Sequence, residues 1–339
     1  MAYRSGVLVK AVVMSAAGDP DVLQMQDIPT PSIQTETDVL VRLKAAGINP
    51  IDTKLRQRGT FYPDRMPAVL GCDGAGVVEA VGAMVREWQV GDEVYFCRGG
   101  LGEMGNYAEY TVVDARYIAH KPKSLSFVEA AAVPLVLITA WEALFDRARL
   151  TSGQTVLIQA GAGGVGHVAI QLAKSAGARI AATVSSEQKA EFVTSLGCDR
   201  PIHYRKIDVV SEIQRWTDGT GVDVGFDTVG GATLSQTIAC TRTYGDVVTI
   251  LAAAADTDWK TVRDRNQRVS FELMLTPQLQ ALATAERHQA EILQQCAPRF
   301  DRGELKIHVQ QVFPLSEAAA AHRLLEAGGL TGKLVLAID

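Results

Sequence analysis

A glycine-rich stretch between two β-rich segments most constrains what this chain can fold into. Residues 155–166 read TVLIQAGAGGVG, in which Gly161, Gly163 and Gly166 fit the pattern G-x-G-x-x-G. The residues before the glycines predict a buried strand, and the residues after them carry apolar side chains at helical spacing. A second β-rich segment follows at 179–184. The order strand, turn, helix, strand predicts a dinucleotide-binding unit, whereas the glycine pattern alone would also fit a flexible loop.

Each part of this predicted unit has a physical role in holding a pyrophosphate. The glycines permit a tight turn, a close approach of the backbone to the phosphates, and close packing of the helix on the strand. The first turn of the helix presents free N–H groups and a partial positive charge. We therefore expect the cofactor phosphates to lie against Gly161, Gly163, Gly164, Val165 and Gly166.

The bulk properties argue against several classes of protein. The chain has 339 residues, which is enough for two domains with sizeable cores. A net charge of −5 without a dense Lys/Arg run argues against nucleic acid as the main partner. No apolar run reaches the roughly 18 residues of a membrane span, and residues 1–10 lack the apolar core of a signal peptide, so we expect a cytoplasmic protein. The five cysteines are scattered and include no C-x-x-C, which predicts reduced thiols.

The pattern of predicted elements changes near residue 124. Before it, short strands with glycine-containing turns and hardly any helical pattern predict a small β-barrel or sandwich. After it, a capping box at Ser126 and Glu129 begins a helix that Pro134 should end or kink. Strands and helices then alternate, which is typical of a doubly wound parallel sheet. One long helix is predicted over 277–302, and a final strand at 333–338 should return to the N-terminal domain.

This order of domains resembles the medium-chain dehydrogenase/reductase superfamily over essentially the whole chain. Four segments are similar to its quinone oxidoreductase branch, which includes zeta-crystallin and NADPH-dependent enone reductases: GINPID at 47–52, GCDGAG at 71–76, VGDEV at 90–94 and AGAGGVG at 160–166.

The resemblance implies a fold and an assembly. It implies an α/β protein with a GroES-like β-barrel domain over residues 1–128 and 279–339, and a Rossmann doubly wound domain over 129–278. It also implies a homodimer in which the parallel sheet continues across a two-fold axis. The predicted strand at 269–274 would then be the open edge, since it is apolar and expected at the end of the sheet.

The sequence lacks side chains that zinc enzymes of this superfamily use as metal ligands. Zinc alcohol dehydrogenases of this superfamily hold a catalytic zinc through a cysteine, a histidine and a second cysteine or carboxylate. Asn49 stands at the position of their first cysteine and Cys72 at that of their histidine, while the segment for the third ligand, 134–138, is apolar. Between 95 and 107 only Cys97 could match their structural-zinc lobe. Because a catalytic zinc needs three protein ligands, we expect no metal, with Cys72 a small buried apolar residue.

The end of the second predicted strand bears on the choice between NADH and NADPH. NAD-selective folds place an acidic residue about 20 positions after the glycine loop, whereas this strand ends in TVSS. A 2′-phosphate is bound by hydroxyl groups and cations, which Ser185, Lys189, Tyr204 and Arg205 can supply. We therefore expect NADPH. The alternative is that Lys189 and Arg205 are ordinary surface charges, and Glu187 is a small counter-signal.

The resemblance assigns further residues to the site. It places Asn49, Asp52 and Thr139 around the nicotinamide, and its remaining cofactor positions are Thr228, Leu251 and Lys333. Tyr62 lies in a loop that often lines the substrate pocket. Tyr62 would either donate a hydrogen bond or a proton, or serve only as a packed loop aromatic.

These observations together predict an oxidoreductase with Asn49 and Tyr62 as its catalytic residues. Reduction of a quinone or an activated C=C places charge on a remote, delocalised oxygen, which hydrogen-bond donors or water can stabilise without zinc. We therefore expect NADPH-dependent hydride transfer to a quinone or an α,β-unsaturated carbonyl compound. Two other classes stay open: a zinc-independent alcohol or aldehyde dehydrogenase, and an NADPH-binding structural or regulatory protein with little turnover.

Overall fold

The computed structural model describes residues 3–102 and 104–339, and of residues 3–6 the backbone alone. The described chain divides into two compact units. The first unit comprises the chain up to Leu135 together with Pro277–Asp339, and the second comprises Val136–Thr276.

The strands and helices are numbered in chain order. The strands are β1 (Tyr3–Met14), β2 (Leu23–Pro31), β3 (Asp38–Ile48), β4 (Ala68–Val69), β5 (Asp73–Val81), β6 (Glu93–Cys97), β7 (Tyr110–Asp114), β8 (Ala119–His120), β9 (Thr155–Ile158), β10 (Arg179–Val184), β11 (Arg200–His203), β12 (Val222–Asp227), β13 (Thr241–Thr249), β14 (Arg268–Phe271), β15 (Val309–Pro314) and β16 (Lys333–Ala337). The helices are α1 (Pro50–Arg58), α2 (Phe127–Ala131), α3 (Pro134–Trp141), α4 (Gly164–Ser175), α5 (Glu187–Ser195), α6 (Val209–Trp216), α7 (Ala232–Cys240), α8 (Trp259–Asp264), α9 (Thr276–Leu279), α10 (Ala283–Asp301) and α11 (Ala318–Ala327).

The first unit is built mainly from antiparallel strands. One small sheet has the order β2-β1-β4, and a larger sheet has the order β15-β16-β3-β5-β6-β8, with β7 also pairing with β3. The C-terminal strand β16 lies antiparallel to β3, with Leu334 opposite Ile48. The predicted return of the C-terminal segment to the N-terminal domain is therefore confirmed. On its other side β3 pairs with β5, where Gly47 lies opposite Asp73.

Two predictions about helices are wrong. The N-terminal region, predicted to have hardly any helical pattern, contains α1, which begins at Pro50 directly after Asn49. The helix predicted over 277–302 is interrupted between α9 and α10, where Ala281 adopts a left-handed backbone with φ 51°. A non-glycine residue in this conformation cannot continue a right-handed helix.

The predicted helix start at Ser126 and the predicted helix break at Pro134 are confirmed. The capping box forms as expected: Ser126 Oγ accepts the N–H of Glu129 at 3.2 Å, and the Glu129 carboxylate accepts the N–H of Ser126 at 2.8 Å. Pro134 is then the first residue of α3, a position where its missing N–H removes no helical hydrogen bond.

The second unit is a doubly wound parallel sheet. Its strand order is β11-β10-β9-β12-β13-β14, and every pairing is parallel. The apolar residues 156–158 of β9 are fully buried, as expected for a central strand. β14 lies at the edge of the sheet as predicted, although it ends at Phe271 and does not reach Met274. No helix within 3–102 and 104–339 has both the length and the apolar character needed to span a membrane.

Candidate functional site

The glycine loop connects β9 to α4, with Gly163 as the residue before the helix. A Cβ atom on Gly161 would lie 2.7 Å from the Cβ of Ala182 on β10, and one on Gly166 would overlap the carbonyl oxygen of Ala160. These two glycines therefore permit the close packing of helix on strand. At Gly163 an added Cβ would meet just the Ala160 oxygen, at 3.2 Å.

The first turn of α4 supplies donors for an anion. The N–H groups of Gly164, Val165 and Gly166 occupy its first three positions, where an α-helix offers no internal acceptor. Because α4 has 12 residues, its aligned peptide dipoles add a partial positive charge at this end.

Four more predicted cofactor residues lie at the same edge of the parallel sheet as the glycine loop. Each directly or closely follows the carboxyl end of a strand, which is where open α/β sheets bind ligands. These residues are Ser185 after β10, Tyr204 after β11, Thr228 after β12 and Leu251 after β13. Thr228 Oγ1 donates to the carbonyl oxygen of Gln159 at 2.7 Å, which ties the end of β12 to the loop after β9.

Two cations lie near each other beyond β10 and β11. Lys189 is in the first turn of α5, and Arg205 follows Tyr204. Partial burial lowers the pKa of the Lys189 ammonium, and the charge of Arg205 lowers it further. The Arg205 guanidinium carbon is 5.9 Å from the centroid of the Tyr204 ring. An anion bound beside two neighbouring cations favours their charged forms.

In the first unit, Asn49 lies between β3 and α1 with its side-chain amide held on both sides. The amide nitrogen donates to Asp73 Oδ2 at 2.8 Å, and the amide oxygen accepts from Lys333 Nζ. Lys333 Nζ also donates to the carbonyl oxygen of Ile48 at 2.9 Å. Flipping the amide would turn its NH₂ group toward the ammonium and its oxygen toward the carboxylate. The orientation of the Asn49 amide is therefore fixed by charge.

Asp73 and Lys333 form a buried ion pair around Asn49. Their closest atoms, Lys333 Nζ and Asp73 Oδ2, are 3.8 Å apart, and the other Asp73 oxygen accepts the N–H of Leu135 at 2.9 Å. Burial raises the pKa of Asp73 and lowers that of Lys333, while the attraction between them opposes both shifts. The antiparallel neighbours of β3 bring these residues together, since β5 begins at Asp73 and β16 begins at Lys333.

Asp52 forms a second set of buried contacts behind Asn49. Its Oδ2 atom accepts the backbone N–H of Asn49 at 2.8 Å and the hydroxyl of Tyr107 at 3.1 Å. The Tyr107 hydroxyl oxygen is also 3.2 Å from His322 Nε2. Burial raises the pKa of Asp52 to about 7 and lowers the pKa of His322 to about 3.

Sequence reasoning missed three members of this cluster. Asp73 was part of a recognised motif but received no role, and Tyr107 and His322 received none either. Tyr107 and His322 are 215 positions apart, and no local spacing connects them. The one available signal was the pairing of a predicted C-terminal strand with the N-terminal domain, which brings the C-terminal segment to this sheet.

The remaining predicted residues have different surroundings. Tyr62 is half-buried, with Arg65 stacked on its ring at 4.4 Å from the centroid, and a Cβ on Gly102 would lie 2.7 Å from its Cδ2 atom. These are packing contacts, and the donor role of Tyr62 stays a prediction. Thr139 is buried on α3 in the second unit.

The residues at the expected zinc position do not fit a zinc ion. Both polar atoms of the Asn49 amide are engaged by Lys333 and Asp73. Burial raises the pKa of the Cys72 thiol well above its usual value, whereas a zinc ligand must be a thiolate. Within the part of the chain that the structure describes, no three His, Cys, Asp or Glu side chains are grouped so as to hold a metal ion.

Comparisons with known proteins agree with this architecture. Residues 35–123 match the alcohol dehydrogenase GroES-like domain family, and residues 196–336 match a family described as zinc-binding dehydrogenase. A quinone oxidoreductase from Pseudomonas aeruginosa is 34% identical over 330 residues, which cover 97% of this chain and 99% of that protein. An NADPH-dependent alkenal/one oxidoreductase of Arabidopsis thaliana, described as chloroplastic, is 34% identical, with 97% of this chain and 79% of that protein covered.

A solved structure gives the same result for the fold. The quinone oxidoreductase of Escherichia coli, in complex with NADPH, has a TM-score of 0.86 and 30% identity, with 97% of this chain and 100% of that chain covered. The chain belongs to the medium-chain dehydrogenase/reductase superfamily, in its quinone oxidoreductase branch.

Proposed function

We propose that this chain is an NADPH-dependent oxidoreductase that transfers a hydride to a quinone or to the activated C=C of an α,β-unsaturated carbonyl compound, without zinc. The observation that carries the proposal is the glycine loop together with the two cations, Lys189 and Arg205, beyond the neighbouring strands β10 and β11. The names of the Pseudomonas and Arabidopsis relatives support the same reaction class.

Residues of the second unit fit NADPH. The first N–H groups of α4 would hold the pyrophosphate. Ser185, Lys189, Tyr204 and Arg205 would hold the 2′-phosphate, because hydroxyl groups and cations are the donors that a phosphate prefers. Our other cofactor assignments are Asp52, Thr139, Thr228, Leu251 and Lys333. When bound, NADPH supplies a hydride from C4 of its nicotinamide.

Asn49 is the residue that we assign to the nicotinamide or to the substrate oxygen. Its amide nitrogen has a second N–H besides the one given to Asp73. Since Lys333 and Asp73 fix the amide, this donor is preorganised and needs no rearrangement when charge develops on an oxygen. The proton that completes the reduction would come from water or from Tyr62.

The residues around Asn49 support the zinc-free part of the proposal. Reduction of an enone produces an enolate, and reduction of a quinone produces a hydroquinone anion. In both the charge is delocalised, so hydrogen-bond donors can stabilise it. We expect elemental analysis to find no zinc and chelation to leave activity unchanged. One zinc per chain, lost together with activity on chelation, would contradict this part of the proposal.

We also propose a cytoplasmic homodimer. All five cysteines are free thiols, as is usual in a reducing compartment. β14 is an edge strand, and its residue Phe271 is 52% exposed, so a second copy could extend the sheet across a two-fold axis. Light scattering at micromolar concentration should give twice the chain mass of 36.4 kDa, and a monomer mass would count against the dimer.

The position of a transferred deuterium tests the reaction. NADPH carrying deuterium at C4 should label the β-carbon of an enone product. Label on the carbonyl carbon would identify a carbonyl reductase instead. Tight NADPH binding with no oxidation by any quinone or enone would identify a binding protein.

A further inference from the structure

Three buried side chains of the first unit form a hydrogen-bonded chain to which the proposed function gives no role, although it assigns Asp52 to the cofactor. Asp52 on α1 bonds to Tyr107, and Tyr107 bonds to His322 on α11. All three side chains are fully buried. Each end carries one more polar atom, Asp52 Oδ1 and His322 Nδ1, and neither has a hydrogen-bond partner among the described residues.

The number of hydrogens allows two directions of donation along these hydrogen bonds. The Tyr107 hydroxyl has one hydrogen, so it donates to only one of its two neighbours. When Asp52 is ionised it can only accept, so Tyr107 donates to Asp52 and accepts from His322 Nε2–H. When Asp52 is protonated on Oδ2 it donates to Tyr107, and Tyr107 donates to His322 Nε2. The hydrogen of the neutral imidazole is then on Nδ1.

We propose that Asp52, Tyr107 and His322 form a proton relay that reverses direction when Asp52 takes up a proton. On uptake of one proton, a new N–H bond forms at the buried His322 Nδ1 as the Nε2–H bond breaks. That hydrogen forms a new O–H bond on Tyr107, while the previous Tyr107 O–H bond breaks and its hydrogen binds Asp52 Oδ2. One proton enters, one proton is bound by Asp52, and no group is oxidised or reduced.

The charges around the relay favour delivery of the proton to Asp52. Titratable and charged groups interact with both ends of the relay. At the Asp52 end these groups are Asp73 on β5, Lys333 on β16, Cys72 before β5, Cys97 on β6 and Tyr107 before β7. At the His322 end the charged group is Arg56 on α1. Two buried carboxyl groups thus share one buried ammonium, and burial together with Asp73 raises the pKa of Asp52 to about 7.

The other end of the relay does not retain the proton. Burial, together with the positive charge of Arg56, lowers the pKa of His322 to about 3, so an imidazolium is unstable there at neutral pH. The imidazole is neutral before and after the transfer. The proton arrives one hydrogen bond from Asn49, because Asp52 Oδ2 accepts the Asn49 N–H. The relay consists of residues of the first unit and does not depend on the proposed substrate.

Imidazole ¹⁵N NMR of the full-length, cofactor-free chain tests the relay directly. We expect His322 to stay neutral from about pH 9 to about pH 5. Its hydrogen should be on Nε2 at high pH and on Nδ1 at low pH, with the exchange centred near pH 7. A His322→Gln variant identifies its resonances. A single tautomer throughout, or an imidazolium that forms near the ordinary histidine pKa of about 6.5, would overturn the proposal.

Two variants and a control separate the relay from a merely structural contact. Asp52→Asn removes the group that takes up the proton, so His322 should keep a single tautomer at every pH. Tyr107→Phe should abolish the pH-dependent exchange. Asp27→Asn, at an exposed carboxyl of the same unit, should leave it unchanged. Exchange that persists in folded Tyr107→Phe would overturn the relay, and if that variant does not fold, persistence in Asp52→Asn decides the question in the same way.

Discussion

The glycine loop of the second unit and the Asn49 cluster of the first unit are built in opposite ways. The loop offers backbone N–H groups from neighbouring residues, and its geometry depends on side chains being absent at Gly161 and Gly166. The cluster offers buried charges on side chains from distant segments, with Lys333 bonded to a residue 285 positions earlier. A backbone site is therefore damaged by adding one atom, and a charged cluster by removing one charge.

The largest effect is expected where a charge is removed from the cluster. Lys333→Met leaves Asp73 buried without its cation and the Asn49 amide oxygen without its donor. Loss of one partner of a buried pair typically costs about 3–5 kcal/mol of stability. Urea unfolding should show this loss, whereas Lys54→Met, at an exposed position of α1, should stay within about 0.5 kcal/mol of the original. Equal effects of the two substitutions would contradict the ion pair.

The same cluster should make stability depend on pH through Asp52. Its folded-state pKa of about 7 lies above the ordinary value of 3.8, so between these values the folded chain holds a proton that the unfolded chain has released. Stability measured relative to Asp52→Asn should therefore fall as pH rises from about 4 to about 7, by up to about 4 kcal/mol, and stay level above that. Urea unfolding of both proteins across this range measures the difference, and a rise with pH would refute the buried neutral carboxyl.

In the loop, the harmful change is an added methyl group. Gly166→Ala sets a Cβ against the backbone oxygen of Ala160, and such overpacking typically costs about 1–3 kcal/mol. Because α4 must then shift, we also expect weaker NADPH binding in a fluorescence titration. Gly163→Ala is the matched control for folding, since its Cβ would meet the same oxygen at 3.2 Å. If the Gly166 variant is as stable as the Gly163 variant, the close packing at Gly166 does not matter.

A further expected effect concerns selectivity between the two cofactors. Lys189→Ala removes one charge-assisted contact, which contributes about 1.5–3 kcal/mol, or about 10–150-fold in NADPH affinity. NADH lacks the 2′-phosphate, so its affinity should change little. Titration of both cofactors against the variant makes the comparison, and equal losses would remove Lys189 from the phosphate site.

The difference between the two regions also explains what the sequence could predict. The βαβ unit and the Ser126 cap are local patterns, so spacing alone identified them. Helix α1 was missed because it is short and mostly polar, although Asn49 followed by Pro50 and then Asp52 was a start signal. The roles of Tyr107 and His322 were missed because only strand pairing and helix packing bring them to Asp52. No local pattern encodes such a contact between distant residues.

The central claim is that the chain reduces quinones or enones with NADPH. The most direct measurement is NADPH and NADH oxidation across a panel of quinones, alkenals and alkenones. We predict turnover with at least one of these compounds and a clear preference for NADPH. Rapid oxidation of simple alcohols with NADP, together with no activity on any quinone or enone, would contradict the account.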